Sequence, residues 1–358
     1  MWVRGGAAEL ASDEAWLRAM GEVESALAAA SAVAGLIPES DAGRIESVLG
    51  ELILDTAEIA LEASATGTPV VPLVERIRAA VGPEAAGSVH RGATSQDILD
   101  SATMLVARRA LAPILEDLAG ASEAAAGLAA VHRTTPIAGR TLLQRAVPTT
   151  FGLKAANWML GLDRAADRLQ EIRRVGLAVQ VGGVAGTRAG YGGHGQRIAE
   201  EMADRLGLSV PVAPWHTERT RIGDLASGLG VAAGAIAKAA RDIVLLAQTE
   251  VAEVEEGVPG RGGSSALQDK HNPIAAISAV ACAQRSFGLV ATLFATMVQE
   301  HERGAGNWQA EWVPLRQLLI TVDSAAAWLR DSLEHLIVRP DAMARNLGDE
   351  APPDLGDA

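Results

Sequence analysis

A glycine-rich stretch in the last third of the chain, GRGGSSALQDKHNP, combines paired serines with a lysine and an asparagine. Glycine adopts backbone conformations that other residues enter only with strain, so such a loop can fold over a ligand. A flexible linker would need the glycines but not the side chains of Lys270 and Asn272. Ser264 or Ser265 could present an oxygen, Lys270 a cation and Asn272 an amide. A serine acts as a base only where nearby donors stabilise its alkoxide, as backbone N–H groups or Lys270 could do here.

A second polar stretch, VHRGATSQDILDSA, precedes a segment of helical character. His90 and Arg91 offer donors or positive charge, and Thr94 and Ser95 offer hydroxyls. A structural role is open, because Thr94, Ser95 or Asp97 could cap the helix by accepting a backbone N–H. A helix N-terminus with adjacent hydroxyls also suits a carboxylate, so the two roles can coexist.

In AGRTLLQRAVPTT, three polar side chains interrupt an apolar context: Arg140, Thr141 and Gln144. Arginine suits carboxylates because its planar fork matches their two oxygens. The alternative is ordinary surface charge near a loop.

The stretch APWHTERTR places His216 and Arg219 just before a long helical segment. A histidine in such a place could serve as an acid, a base or an anion donor. A hydrogen-bonded structural histidine is an equally good interpretation, so the role of His216 stays open.

The overall charge limits the classes of ligand. The 358 residues include 44 acidic and 31 basic ones, a formal charge of −13, which disfavours nucleic acids and anionic membranes as partners. An anionic substrate must therefore meet a local cluster of cations. HExxH, CxxC and Walker motifs are absent from the sequence, so we expect no metal and no cofactor.

The lone Cys282 and the N-terminal sequence bear on the compartment. A single cysteine excludes an internal disulfide and fits a reducing environment, with Cys282 most simply a small core residue. The N-terminus turns acidic before an apolar stretch of signal-peptide length develops, and apolar runs stay short of about 18 residues. We therefore expect a cytoplasmic protein that is not embedded in a membrane.

Helical periodicity dominates the middle of the chain, whereas aromatic residues make up only 3%. Apolar side chains recur every three and four residues from 221 to 256, a heptad seam on a rod of roughly 50 Å. A similar helical pattern covers 97–132, 149–179 and the stretch from Pro273. Gly/Pro-rich segments such as 67–72 and 133–141 are predicted to be loops. The fold predicted is an all-α bundle of long helices.

Several motifs resemble one family in the same order along the chain. GGSSALQDKHNP resembles the Gly-Ser-Ser-x-Met-Pro-x-Lys-x-Asn signature of the fumarase/aspartase superfamily. HRGATSQDILDSA, GRTLLQRAVPTTFGLKAANW, VQVGGVAGT, PWHTER and QEHERGAGNWQAEW are similar to segments of its cycloisomerase branch. The resemblance spans roughly residues 10 to 345.

The resemblance implies an all-α homotetramer with a twenty-helix core, in which loops of three subunits assemble each active site around a small polycarboxylate. The domains it implies are an N-terminal helical domain (1–98), a central long-helix bundle (99–335) and a short C-terminal remnant (336–358). The activity implied is the closure of 3-carboxy-cis,cis-muconate to 4-carboxymuconolactone. A fumarate-releasing β-eliminating lyase and a catalytically inactive scaffold remain alternatives.

The resemblance also implies roles for single residues. Ser264 matches the catalytic serine of a mobile loop. Lys270 and Asn272 match residues that bind substrate and intermediate, Thr94 and Ser95 match carboxylate-binding hydroxyls, and His90 matches a substrate-side histidine. Arg140, Thr141 and Gln144 match a second motif that another subunit would contribute. By residue type and position, the further candidates for substrate binding are Arg91, His216, Arg219 and Ser265.

Three departures from the family pattern matter. Leu267-Gln268 replaces the signature Met-Pro, which removes a rigidifying proline. Leu142 follows Thr141 where lyases of the superfamily have a histidine. Cycloisomerases of the superfamily also lack that histidine. Some cycloisomerases carry a histidine where Arg145 stands, so the second proton carrier stays open.

Overall fold

The computed structural model describes residues 3–267 and 270–348. Gln268, one of the two residues that replace the Met-Pro signature, lies outside the described residues, as do residues 349–358 of the predicted C-terminal remnant. Within the described part the secondary structure is mainly helical, as the composition predicts. The assigned elements before the long helices are α1 (Ala7–Leu10), α2 (Asp13–Val33), α3 (Glu39–Glu51), α4 (Thr56–Thr66) and α5 (Val70–Val81).

A bundle of five long helices forms the body of the molecule. The elements after α5, in chain order, are α6 (Ser95–Val131), β1 (Pro136–Thr141), β2 (Gln144–Thr150), α7 (Phe151–Glu171), α8 (Gly195–Leu206), α9 (Thr220–Leu246), β3 (Val254–Glu256), α10 (Ile274–Thr296), α11 (Asn307–Glu334), β4 (Leu336–Val338) and α12 (Pro340–Leu347). The contacts of the long helices run from α6 to α7, from α7 to α9, from α9 to α10, and from α10 through α11 back to α6.

Two apolar clusters fill the interior, and α6 contributes to both. The N-terminal part of α6 packs with α2, α5 and α8, and its later turns enter the core of the bundle. Small side chains are common in the bundle core, and they let helices approach closely. The division into domains at residues 98 and 335 stays a prediction.

The heptad seam of α9 is confirmed, but its predicted length is wrong. Its apolar positions, from Ile222 to Leu246, are buried. The helix ends at Leu246, ten residues before the expected end at Glu256. The chain turns there because Glu253 N donates to Leu246 O at 2.9 Å and Ala252 takes a left-handed backbone conformation with φ 50°. β3 then pairs antiparallel with β4.

Two segments that were predicted to be loops contain regular secondary structure. The segment 133–141 contains β1, which forms an antiparallel hairpin with β2. The segment 67–72 runs into α5, whose first turn tolerates Pro72 because the N–H that proline lacks has no partner at that position of a helix. Glycine and proline mark these boundaries correctly but do not specify a loop.

Helix α10 is long and apolar enough to cross a bilayer by length and composition, with a mean hydropathy of 1.5 over its most apolar window. The core helix of a soluble bundle meets the same criteria, and α10 packs against α9 and α11. Only 39% of that window is buried within the chain, and Ile277, Phe287 and Phe294 are exposed. The apolar side chains on this face of α10 are therefore not covered by other elements of the described chain.

Candidate functional site

A buried carboxylate, Asp97, organises the start of α6. Its Oδ1 accepts from Gly182 N at 2.9 Å and lies 2.8 Å from His216 Nε2. Its Oδ2 accepts from Gly183 N at 2.8 Å and from Thr94 N at 3.1 Å. The side chain therefore fastens the helix start to two later segments that the sequence analysis treated separately.

The same carboxylate sets the state of His216. A carboxylate only accepts, so Nε2 of His216 donates a proton to Asp97. Nδ1 is buried and has no hydrogen-bond partner among the described residues. Gly182 allows the close approach, because a Cβ there would lie 2.6 Å from His216 Cε1. One ring nitrogen of His216 is thus fixed by Asp97, and the other has no partner in the described part of the chain.

His90 lies near the same helix start, beside a buried glutamate. Its Nδ1 lies 2.5 Å from Oε1 of the buried Glu24. Burial would lower the pKa of His90, but the Glu24 carboxylate and, more weakly, Asp97 outweigh burial and raise that pKa above its ordinary value. His90 also has a left-handed backbone, with φ 61°. The histidine is thus held rigidly and biased toward its cationic form.

Thr94 and Ser95 lie at the N-terminus of α6, as predicted. The Thr94 hydroxyl accepts from Arg303 Nη1 at 2.8 Å, and Arg303 Nη2 donates to Val184 O at 3.0 Å. Arg91 is exposed close by in sequence. A hydroxyl, a helix N-terminus and an arginine together form a good environment for a carboxylate.

Arg219 lies in a buried ion network. It binds Asp100 with Nη1 at 2.8 Å and Nη2 at 3.1 Å, and Glu311 with Nε at 3.0 Å and Nη2 at 2.6 Å. Its guanidinium also stacks over Trp215, 4.8 Å from the ring centroid. Burial would lower the pKa of Arg219, but Asp100 and Glu311 outweigh it and raise the pKa. The guanidinium is fully engaged, so its direct contacts are structural.

The β1–β2 hairpin carries the second predicted group. Arg140 forms a two-point ion pair with the buried Glu253, both distances being 2.8 Å. Thr141 and Gln144 face each other across the turn and are exposed. The intervening Leu142 and Leu143 both have positive φ, 49° and 64°, and point into solvent. The hairpin thus projects polar and apolar side chains away from its own bundle.

The serine loop leaves the bundle after β3 and returns at α10. At its base, the backbone and side-chain nitrogens of Asn272 donate to Gly262 O at 2.8 and 2.9 Å. Ser264 Oγ accepts from Ala266 N at 3.3 Å and Leu267 N at 3.2 Å. Backbone N–H groups pointing at a serine oxygen are the donors an alkoxide needs. Lys270 is exposed and lines a cavity of about 960 Å³.

The predicted site residues thus form three groups. The first lies around the start of α6, the second on the hairpin and the third on the serine loop. In the described part of the chain, no hydrogen bond or ion pair links one group to another. Ranges 3–267 and 270–348 also contain no set of three or more His, Cys, Asp and Glu side chains arranged for a metal ion. Within one chain, the candidate residues therefore stand in three groups that these contacts do not join.

Three functional candidates escaped the sequence analysis: Asp97 as an organising carboxylate, Glu24 beside His90, and Arg303 beside Thr94. Asp97 was considered only as a helix cap. Arg303 stands in QEHERG, a motif that carried the resemblance without a role for its arginine. Glu24 gives no signal, because one glutamate in an Ala-rich amphipathic helix resembles any other.

Comparisons with known proteins define the class. A family model described as Lyase, that of the fumarase/aspartase superfamily, matches residues 7–288. The chain belongs to the fumarase/aspartase superfamily.

Individual relatives narrow the similarity. The chain is 46% identical over 339 residues to a 3-carboxy-cis,cis-muconate cycloisomerase of Bradyrhizobium diazoefficiens, covering 94% of this chain and 75% of that protein. It is 44% identical to a nitrosuccinate lyase of Streptomyces davaonensis, covering 94% and 73%. The crystal structure of the 3-carboxy-cis,cis-muconate lactonizing enzyme from Pseudomonas putida superposes with a TM-score of 0.89 at 39% identity, covering 95% and 77%.

The ion network around Arg219 gives a first testable expectation. Arg219→Met should lower the free energy of unfolding by about 3–5 kcal/mol, because Asp100 and Glu311 would be left buried without their cation. Urea denaturation followed by circular dichroism measures the change. Arg91→Met removes an exposed arginine and is the stability control. It should change the free energy of unfolding by less than about 0.5 kcal/mol. Equal stability of the two variants would show that the buried network is not structural.

Proposed function

We propose that the chain is a cycloisomerase that converts 3-carboxy-cis,cis-muconate to 4-carboxymuconolactone, an intramolecular lyase reaction in the breakdown of aromatic acids. The observation that carries the proposal is the match to curated cycloisomerases over 94% of the chain. The serine loop, the α6 start and the hairpin supply the hydroxyls and cations that such a polyanion requires. We also propose that the protein works in the cytoplasm, without a cofactor, a nucleic acid or a membrane.

The proposed chemistry is an addition across one double bond. A carboxylate oxygen of the substrate bonds to the β-carbon, and the π electrons move to the α-carbon and on into its carboxylate. A proton then reaches the α-carbon, and in the reverse direction a base removes it. Ser264 is the proposed proton carrier, stabilised as an alkoxide by backbone N–H groups and Lys270.

Charge stabilisation is the main demand of this reaction, because negative charge builds up on the carboxylate attached to the α-carbon. Thr94, Ser95 and the N-terminus of α6 are the proposed carboxylate site, with His90 as an adjacent cation. Lys270, Asn272 and Ser265 are proposed to contact the substrate from the serine loop. Such preorganised donors usually contribute the largest part of a rate enhancement.

We further propose a homotetramer with a twenty-helix core, in which Arg140, Thr141 and Gln144 enter a neighbour's site. Two features support this assembly. The outer face of α10 exposes large apolar side chains, and the hairpin projects its tip away from its own bundle. His216 and Arg219 complete the proposed site, the first through its unpartnered Nδ1 and the second by holding the start of α9 against α6.

A β-eliminating lyase is the second candidate, favoured by the 44% identity to a nitrosuccinate lyase. Elimination passes through the same type of carbanion, so similar residues serve both reactions. The candidates differ in products: a succinyl-type adduct would release fumarate, whereas the muconate would form a lactone and release nothing.

The proposed function predicts the effect of Ser264→Ala. The variant should lower kcat on 3-carboxy-cis,cis-muconate by about 10²–10⁴-fold, because its proton carrier is missing. The loss of diene absorbance in the ultraviolet measures the rate. Ser64→Ala, an exposed serine on α4 that bonds only Leu61 O, serves as the control and should keep the native rate. Fumarate release from a succinyl-type adduct, with no lactone from the muconate, would instead establish the lyase.

The assembly gives a separate expectation. Light scattering during size exclusion should give the native protein a mass four times the 37.0 kDa of one chain. The double variant Phe287→Glu/Phe294→Glu should dissociate, because it places charges on a proposed apolar interface. Leu61→Glu changes an equally apolar, 75% exposed residue on α4 and should stay tetrameric. A native mass of one chain would contradict the tetramer.

A further inference from the structure

Gly262 and Asn272 close the base of the serine loop, and this pair is called the neck. Arg261, the residue just before the neck, is bound to the bundle and does not point into solvent. Its Nη1 donates to Asp331 Oδ2 on α11 at 2.5 Å. Its Nη2 lies 3.7 Å from Glu256 Oε2, at the end of β3. The Arg261 side chain is only 19% exposed, so the loop's single arginine points inward, three residues before Ser264.

Asp331 is a fixed receptor for this arginine. Burial would raise the pKa of Asp331, but hydrogen bonds from Arg4 and Arg261 outweigh burial and lower it. His335 Nδ1 lies 2.9 Å from the other carboxylate oxygen. Asp331 therefore stays ionised and lies on the last turns of α11, one of the five bundle helices.

The second receptor, Glu256, fixes the return of the loop. Its two oxygens accept from Ala275 N at 3.0 Å and Ala276 N at 2.9 Å, in the first turn of α10. Ser332 Oγ, also on α11, donates to Oε1 at 2.7 Å. One carboxylate thus caps the helix that follows the loop and faces the arginine that precedes Ser264.

The neck itself leaves little freedom between these anchors. Gly262 O accepts both donors of Asn272, and a Cβ on Gly262 would lie 2.3 Å from Asn272 O. Gly262 also has a φ of +85°, which favours glycine. Because Arg261 adjoins Gly262, its ion pairs fix the whole neck, and with it the direction in which Ser264 leaves the bundle.

We propose that Arg261 is a positioning residue for Ser264, acting through Asp331 and Glu256 to hold the neck of the serine loop at one place on the bundle. The residue makes no contact with substrate in this role. The proposal rests on the proposed function of Ser264. Misplacing a catalytic group by about 1 Å can cost on the order of 10²-fold in rate, so a modest shift of the neck suffices.

The test measures kcat and KM separately on 3-carboxy-cis,cis-muconate. Arg261→Ala should lower kcat by about 10–100-fold and change KM by less than about threefold, because the loop still reaches the substrate but presents Ser264 poorly. Arg261→Lys, which keeps the charge but not the fork, should lie between Arg261→Ala and the native protein. If Arg261→Ala does not fold, Arg261→Lys carries the test with the same expected direction.

A matched control uses the other partner of the same carboxylate oxygen. Arg4 Nη1 also lies 2.5 Å from Asp331 Oδ2, but Arg4 belongs to the N-terminal segment. Arg4→Ala should lower the thermal midpoint while leaving kcat within about twofold of the native value. Equal losses of kcat in Arg4→Ala and Arg261→Ala would assign the effect to Asp331 alone and overturn the proposal.

Epistasis separates this inference from the proposed function. In the Ser264→Ala background, adding Arg261→Ala should not reduce the residual rate further, since the group it positions is already gone. A full additional loss there would mean that Arg261 acts independently of Ser264. A native protein without turnover of the muconate would refute the proposed function, whereas native kcat in Arg261→Ala and Arg261→Lys would refute only the positioning role.

Discussion

The arrangement of polar groups around α6 depends on one buried carboxylate. Asp97 accepts hydrogen bonds from two consecutive backbone N–H groups at Gly182 and Gly183, from Thr94 and from His216. Four donors satisfy a charge that would otherwise be very costly to bury. Because these donors come from three separate segments, the carboxylate fixes the hydroxyl of Thr94 and the imidazole of His216 relative to one helix end. Without Asp97, no hydrogen bond from this carboxylate would hold His216 at the N-terminus of α6.

The sequence pattern correctly predicted those helix positions that depend on neighbouring residues alone. The seam of α9 and the start of α10 after Pro273 follow from apolar spacing and proline, and α6 begins at Ser95, two residues before the predicted segment 97–132. The end of α9 did not follow, because it depends on the backbone hydrogen bond from Glu253 to Leu246 and on the left-handed backbone of Ala252. The apolar periodicity continues past Leu246 and gives no sign of this turn. The hairpin was missed for a related reason, since its turn is made by two leucines rather than by glycine or asparagine.

The site shows the same division between local and distant signals. The serine loop was recognisable because its glycines, serines and Lys270 are contiguous. The residues that hold it were not, since Arg261 finds Asp331 70 positions later. Arg219 illustrates the converse: its residue type and neighbourhood suggested a substrate contact, whereas Asp100 and Glu311 occupy its guanidinium. Residue type alone cannot distinguish a cation held by protein carboxylates from one that awaits a ligand's.

The chain's charge explains why such distinctions matter for its chemistry. With a formal charge of −13, a polyanionic substrate gains little from long-range attraction and must be bound by local groups. Arg219 and Arg261 are each paired with carboxylates of the same chain, and they contribute rigidity instead of net attraction. Under the proposed function, binding of the substrate would then fall to Lys270 and to the N-terminus of α6. Under the proposed assembly these groups meet only when chains associate over the exposed face of α10. Burial of that apolar face and completion of the charge-stabilising site would then be a single event, so an isolated chain would keep its fold while lacking a complete site for the polyanion.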